Sequence, residues 1–185
     1  LTRRGPEGKA AERKQHQIHD LCVKRIAGEA ETLKINKADL CAVPEDILQI
    51  GPAMRNARRM QVSDPTRQAH VLLQALANHG PTAIVADELG QQADVDIITT
   101  IARRGVKVVA TVHGRTLLDV LENPVLTPLL GGIEGDKRLG RPVFGTALEI
   151  EDRNTWHLIP DVGDTVDHIL TGKPYERTAI TPGTP

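Results

Sequence analysis

Two short polar sequences in this chain each follow an apolar run, and their side chains are of types that move protons or hold cations. The first run is Thr82–Ala86, and the second is Val106–Ala110, which is apolar except for Lys107. The polar residues that follow them are Asp87, Glu88, Thr111 and His113. Continuous apolar runs of this length predict strands covered on both faces, and ligands of open α/β sheets bind at the carboxyl edge of such strands. The sequence therefore predicts a site at this edge.

Two adjacent carboxylates at a strand end suit the hydrolysis of a nucleoside triphosphate. In that chemistry Asp87 helps to hold Mg²⁺ through water, and Glu88 orients or deprotonates the attacking water. Thr111 and His113 on the next strand would sense the γ-phosphate or position that water. The alternative is that the two acids only cap the helix that follows them.

The segments around these strand ends have the pattern of helices packed on a sheet. Apolar residues at helical spacing predict a helix over Ala93–Arg103, which ends in a basic, glycine-terminated turn. An earlier helix is predicted to start at Ser63-Asp64-Pro65, with Asp64 as its cap, and to stop at His79-Gly80-Pro81. The alternation of strands and helices indicates an α/β fold with a parallel sheet.

Downstream of His113 the pattern changes to short elements. Short helices are predicted over Leu117–Leu121 and Val125–Leu130, and a polar loop over Gly135–Arg141. Alternating apolar residues on either side of a turn at residues 152–154 predict a hairpin. A closing helix is expected over Val162–Leu170.

The first fifty residues give weaker signals. Residues 1–31 begin with a charged Gly/Pro segment and continue with helical spacing, and a short strand is predicted at either Leu33–Ile35 or Leu40–Val43. Gly5–Ala10 is similar to a phosphate-binding loop, but it has too few residues between its glycines and an alanine where Ser or Thr belongs. A flexible leader is the favoured interpretation. His16, His19 and Cys22 share one helical face but lack a fourth zinc ligand, which favours a solvated face with a buried thiol.

Composition limits the class of protein. The 185 residues suffice for one α/β domain, and the net charge of −1 argues against a strongly basic nucleic-acid surface. Aromatic residues make up only 2% of the chain, which predicts an aliphatic core and few base-stacking platforms. Cys22 and Cys41 have no paired spacing, which favours a reducing compartment. No apolar run reaches bilayer-spanning length, and the initial leucine suggests a processed or excised form.

Several longer sequences occur together in the order and spacing of a known family. They are Arg58-Arg59-Met60-Gln61-Val62, Asn78-His79-Gly80-Pro81, Asp87-Glu88-Leu89-Gly90, Ile101-Ala102-Arg103-Arg104-Gly105-Val106, Thr111-Val112-His113-Gly114, and Leu121-Glu122-Asn123-Pro124 through Gly131-Gly132-Ile133. In this combination the chain resembles the plastid and cyanobacterial AAA-type ATPases related to the stage III sporulation protein AA, within the P-loop NTPase superfamily. The resemblance covers Gly51 to Gly172.

The resemblance implies a fold and a set of roles. The expected fold is α/β, a P-loop NTPase-like parallel sheet sandwiched by helices, incomplete here, with a small C-terminal hairpin and helix. Asp87 and Glu88 correspond to the Walker B acids, with Thr111 and His113 beside the γ-phosphate. Arg58 and Arg59 become candidates for a phosphate or inter-subunit contact. ATP and Mg²⁺ are the implied cofactors.

The residue patterns and the resemblance together predict four parts. Residues 1–50 are expected to form an N-terminal helical or irregular segment, and residues 51–134 the NTPase-like core. Residues 135–172 are expected to form the C-terminal hairpin and helix, and residues 173–185 a disordered tail.

The chain departs from the family in two places. The family's phosphate loop with its Gly-Lys-Thr should precede Arg58, and only Gly5–Ala10 is available there. The family's connection after Gly131-Gly132-Ile133 is shortened to Glu134–Pro142. Either the protein has diverged and lost hydrolysis, or stretches of the natural sequence are omitted.

Three functions follow from these observations. The first is an AAA-type ATPase domain that self-associates, since such sites usually borrow an arginine from a neighbour. The second is a catalytically inactive homologue that serves as a structural subunit of a larger organellar assembly. The third is a nucleic-acid-binding accessory protein. The expected location is a plastid or another organelle matrix, with the cytoplasm as the alternative.

Overall fold

The computed structural model describes residues 40–44, 58–152 and 155–180. Several sequence predictions lie outside the described residues: the phosphate-loop-like run Gly5–Ala10, the helical pattern of residues 1–31, and the group His16, His19 and Cys22. Most of the predicted N-terminal segment 1–50 lies outside them as well, apart from one strand.

A four-stranded parallel sheet lies at the centre of the described chain. Its strands are, in chain order, β1 (Leu40–Pro44), β2 (Arg58–Val62), β3 (Ala83–Leu89) and β4 (Lys107–Val112). They lie side by side in the order β2-β1-β3-β4, and every pairing is parallel. β3 therefore has a partner on each side, and Ile84 and Ala86 on it are fully buried. This position accounts for the apolar run in its sequence.

Two helices connect the strands of the parallel sheet. α1 (Gln68–His79) joins β2 to β3, and α2 (Gln92–Arg103) joins β3 to β4. A 3₁₀ turn over Pro65–Arg67, capped by the Asp64 side chain, leads into α1, and Gly80 ends α1 in a left-handed conformation. α1 and α2 pack against each other. This is expected because both connections lead in the same direction across the sheet, and right-handed crossovers in one direction place their helices on the same face. The α/β class is confirmed, whereas helices on both faces of the sheet are not seen among the described residues.

The C-terminal half consists of short elements. They are α3 (Leu117–Glu122), a 3₁₀ turn (Thr127–Leu130), β5 (Ile133–Glu134), β6 (Lys137–Arg138), β7 (Ala147–Ile150), β8 (Trp156–Ile159), α4 (Val162–Leu170) and β9 (Thr178–Ile180). β8 is the middle strand of an antiparallel sheet with β7 and β9. The predicted hairpin and closing helix are thus confirmed. Within the described ranges, no helix has the length and apolar character needed to cross a bilayer.

One aliphatic core connects the two halves. The same cluster of buried side chains includes Ile84 of the parallel sheet, Ile98 of α2, Leu126, Ile159 of β8 and Val166 of α4. The scarcity of aromatic residues is consistent with this composition. The C-terminal elements are therefore packed into the core of the sheet domain.

The structure differs from the sequence predictions in three elements. β2 occupies Arg58–Val62, a segment in which the sequence indicated two candidate contact arginines but no strand. The hairpin of β5 and β6 lies inside the predicted loop 135–141 and the residues before it. β9 lies in the predicted disordered tail, because the open edge of β8 supplies backbone partners and pairs Trp156 with Ile180.

Candidate active site

Asp87 and Glu88 form a β-bulge at the carboxyl end of β3. Ala86 pairs with Ala110 and Leu89 pairs with Val112, so the two acidic residues lie opposite a single residue of β4. Glu88 has a φ of +48°, the left-handed conformation, which costs a residue with a side chain roughly 1–2 kcal/mol. Bulges of this kind occur next to active sites, where they redirect a side chain.

Thr111 is the residue opposite the bulge, and its hydroxyl makes two hydrogen bonds there. It donates to Asp87 Oδ1 at 2.5 Å and accepts the backbone N–H of Glu88 at 2.8 Å. The short first bond is typical of a hydroxyl that donates to a carboxylate. The hydroxyl thus ties both acidic residues to the neighbouring strand.

The two carboxylates lie in opposite environments. Asp87 is buried, with 1% of its surface exposed, while the Glu88 side chain is 61% exposed. The Glu88 Oε1 atom lies 3.6 Å from Nδ1 of His113, whose ring is 95% exposed. The structure therefore brings together all four residues that the sequence predicted at the strand ends.

Two buried polar residues that the sequence did not indicate support the bulge. The Gln68 side-chain amide at the start of α1 donates to the backbone oxygen of Asp87 at 2.8 Å. Asp94 accepts the N–H of Gln91 and is also hydrogen bonded to the backbone of Gly90. Burial raises the pKa of Asp94, and these backbone hydrogen bonds oppose the shift. The chain on both sides of Glu88 is therefore held by side chains from the two helices.

An open depression adjoins His113. It has a volume of about 540 Å³ and is lined by Val112, His113, Gly114, Arg115 and Asp119. Arg115 is exposed and adds a cationic side chain that sequence reasoning did not select. Arg115 directly follows the Thr-Val-His-Gly sequence, and this position is the only sign in the sequence that it lies near the site. A single arginine in a loop is too common for such a position to identify a site residue.

Arg58 and Arg59 lie at the other end of the sheet. Arg58 is level with Leu40, which is level with Ile84, three residues before Asp87. This offset is about 10 Å along the strands, and two strand spacings of about 4.8 Å separate β2 from β3. The Arg58 guanidinium lies 2.9 Å from Nδ1 of His79. Within one copy of the chain, the structure does not bring the two arginines to the carboxylates.

Comparison with known proteins gives plastid-related and sporulation-related relatives. The chain is 39% identical over 138 residues to the uncharacterized protein ycf45 of Porphyra purpurea, a match that covers 65% of this chain and 24% of that protein. It is 39% identical over 143 residues to the protein SEEDLING PLASTID DEVELOPMENT 1 of Arabidopsis thaliana, covering 67% of this chain and 21% of that protein. A weaker similarity, 27% over 78 residues, links it to the stage III sporulation protein AA of Bacillus subtilis, over 42% of this chain and 25% of that protein.

These relatives are much longer than the matched region. The match covers less than a quarter of the length of the Porphyra purpurea ycf45 protein and of SEEDLING PLASTID DEVELOPMENT 1. No known family profile matches the chain. No solved structure is detectably similar to it.

Proposed function

We propose that this chain carries the catalytic acids of an AAA-like ATPase. The observation that carries the proposal is the bulge in which Thr111 joins the Asp87 carboxylate to the backbone of Glu88. It presents one buried and one exposed carboxylate at the end of the same strand. The distant similarity to the stage III sporulation protein AA supports the same relationship.

The exposed acid suits the activation of water. The carboxylate of Glu88 would take a proton from a water molecule as the water oxygen attacks the γ-phosphorus, releasing ADP and phosphate. His113 lies 3.6 Å from that carboxylate and would orient it or contact the γ-phosphate. The strained backbone at Glu88 fixes the direction in which the carboxylate leaves the strand.

The buried acid suits an ion held through water. Mg²⁺ usually keeps several water ligands and takes one or two carboxylates together with substrate phosphates. Among the described residues, no group of three His, Cys, Asp or Glu side chains is placed to hold a metal ion. The Asp87 carboxylate, whose Oδ1 accepts the Thr111 hydroxyl, would serve Mg²⁺ that arrives with ATP. When bound, that ion would neutralise negative charge on the phosphates, and Asp87 would orient one of its water ligands.

A structural role is the second candidate function. The sequence contains Gly-Lys pairs at Gly8-Lys9 and Gly172-Lys173, and neither is followed by Ser or Thr. A phosphate loop uses that hydroxyl to bind Mg²⁺. This observation favours an inactive homologue that serves as a scaffold subunit, with the sheet retained for docking.

Nucleotide binding and turnover separate the two candidates. The chain is titrated with a fluorescent ATP analogue in the presence of Mg²⁺, and phosphate release is then measured for the chain and for Glu88→Gln. We expect Glu88→Gln to bind the analogue as the parent chain does and to lose turnover by about 10²- to 10⁴-fold. Glu134→Gln, an exposed acid in β5, serves as the matched control and should keep full turnover.

The opposite results would favour the scaffold. No detectable binding at millimolar nucleotide contradicts the ATPase proposal. Binding with turnover that Glu88→Gln leaves unchanged contradicts the role given to Glu88 and points to a contaminating ATPase.

We also propose that the protein is located in a plastid. The similarity to a protein named for plastid development supports this location. Antibody detection in isolated plastids and in the remaining cell fraction of the source organism would test it, and recovery in the second fraction alone would contradict it.

A further inference from the structure

Glu149 is a buried carboxylate that does not belong to the candidate site formed by Asp87, Glu88, Thr111 and His113. It belongs to β7 in the C-terminal sheet, and only 7% of its surface is exposed. Its Oε1 atom accepts the backbone N–H of Leu117, the first residue of α3, at 2.7 Å. Its Oε2 atom lies 3.5 Å from the Arg177 guanidinium, in the segment just before β9. One buried side chain thus connects three parts of the chain that are distant in sequence.

Leu117, which Glu149 contacts, directly follows the loop that carries His113. This loop runs from β4 through His113 and Gly114 to the start of α3. The Asp119 carboxylate closes the loop on the helix, because it accepts the N–H groups of Arg115 at 2.7 Å and Thr116 at 3.2 Å. The loop and the first turn of α3 therefore form one hydrogen-bonded unit.

Gly114 packs directly against α3. A Cβ atom at Gly114 would lie 3.3 Å from Cγ2 of Val120 and 3.4 Å from Cβ of Asp119. Such close approach couples the position of this glycine to that of the helix. This contact is the route by which a displacement of α3 would reach Gly114 and the adjacent His113.

We propose that Glu149 is a positioning residue for His113 and acts through the start of α3. The carboxylate fixes Leu117, α3 fixes the loop, and the loop holds the imidazole within reach of Glu88. Arg177 holds the second carboxylate oxygen, so the C-terminal segment belongs to the same unit. The consequence for turnover rests on the proposed ATPase function, whereas the placement of His113 is tested without it.

The first measurement is the ¹H–¹⁵N NMR spectrum of the chain and its variants. Glu149→Ala removes the acceptor, and we expect the amide resonances of His113, Gly114 and Leu117 all to move. Glu149→Gln keeps an oxygen acceptor, and we expect it to leave those of His113 and Gly114 close to their original positions. Glu151→Ala, whose exposed carboxylate pairs with His157 just after the end of β7, is the matched control and should move none of the three.

A shift confined to Leu117 in Glu149→Ala would overturn the proposal and leave Glu149 as a link between β7 and α3 only. If Glu149→Ala does not fold, Glu149→Asp replaces it, because the shorter side chain withdraws the acceptor and keeps the charge. Its expected result is the same movement of His113 and Gly114, and their invariance would again overturn the proposal.

Turnover provides a second readout. We expect Glu149→Ala to lower kcat by about tenfold with little change in KM, and Glu149→Gln to restore most of kcat. An equal loss in the two variants would contradict the positioning role. If the parent chain shows no turnover, the ATPase proposal fails, and the NMR result still decides where Glu149 acts.

Discussion

Thr111 is the residue on which the geometry of the two acids depends. A single hydroxyl donates to the buried carboxylate of Asp87 and accepts the N–H of Glu88, which no apolar side chain of the same shape does. The bulge leaves one residue of β4 to serve two of β3, so a residue with both donor and acceptor capacity is required there.

Replacement of Thr111 by valine should therefore destabilise the fold. Thr111→Val keeps the shape but leaves a buried carboxylate oxygen without this donor, and we expect a loss of about 2 kcal/mol in the free energy of unfolding. Urea denaturation followed by circular dichroism measures it. Thr111→Ser retains the hydroxyl and is the control. Equal stability of the valine and serine variants would show that the hydroxyl does not hold the bulge.

Asp94 and Asp119 occupy equivalent positions in their helices, but their pKa values are shifted in opposite directions. Each is the third residue of a helix and forms a capping box with the residue before that helix, α2 for Asp94 and α3 for Asp119. Burial raises the pKa of Asp94 above its ordinary value of 3.8. The backbone N–H groups of Arg115 and Thr116 lower the pKa of the exposed Asp119.

The two aspartates should therefore give stability profiles of opposite slope. A raised pKa in the folded state means that the carboxylate form of Asp94 costs stability as pH rises through and above 3.8. Relative to Asp94→Asn, the parent chain should lose stability between about pH 3 and about pH 7. Relative to Asp119→Asn, it should gain stability over the same range, because its lowered pKa favours the folded state once the group ionises. Urea denaturation at a series of pH values tests both, and slopes of the same sign would contradict the assignment.

The sequence identified the site residues that follow the strands and missed those that support them. Asp87, Glu88, Thr111 and His113 were found because parallel strands end at a common edge. Gln68 and Glu149 were missed because their contacts join residues 19 and 32 positions apart, which no local pattern encodes. Asp94 was missed although its capping box with Gln91 is local, because caps were predicted at other positions only. The bulge itself was also missed, since Glu88 gives no sign in the sequence of its left-handed backbone.

At the scale of elements, helices with a strong hydrophobic periodicity were predicted from the sequence, and strands with a weak periodicity were missed. α2 and α4 were predicted nearly to the residue, because apolar side chains recur along one face and polar residues cap both helices. β2 was missed because it begins with two arginines and because Val62 is its only buried residue. β9 was missed because its pairing depends on β8 and not on its own composition.

The 3₁₀ turn over Thr127–Leu130 requires a glycine at position 131, and a substitution there can test this requirement. Gly131 ends the 3₁₀ turn at φ +104°, and a Cβ atom there would collide with the backbone oxygen of Gly140. We expect Gly131→Ala to lower the free energy of unfolding by about 3 kcal/mol, because a backbone atom must move as well as the side chain. Gly135→Ala is the matched control, since Gly135 also has a positive φ but faces open space, and it should cost about 1 kcal/mol. Similar losses in the two variants would show that the contact with Gly140 is unimportant.

At the scale of the whole molecule, the candidate site lies at one end of the parallel sheet, and Arg58 and Arg59 lie at the other. The carboxylates are at the carboxyl end of β3, whereas Arg58 begins β2 and contacts His79 at the end of α1. If Arg58 contacts a phosphate held beside these carboxylates, its offset along and across the strands favours a second copy of the chain as its source. The C-terminal sheet, in contrast, shares a core with the parallel sheet, so both halves of one copy should unfold together.

Mixing two inactive variants tests whether a site is shared between copies. If each ATPase site combines Glu88 of one copy with Arg58 of another, Glu88→Gln and Arg58→Ala should each lower turnover. An equimolar mixture, prepared by joint unfolding and refolding, should recover activity because a mixed pair contains one site with both residues intact. His79→Ala removes the partner of Arg58 and keeps the arginine, and Arg104→Ala removes an exposed arginine elsewhere, so both controls should stay active alone. A mixture no more active than the mean of its two components would contradict a shared site and confine any catalysis to single copies.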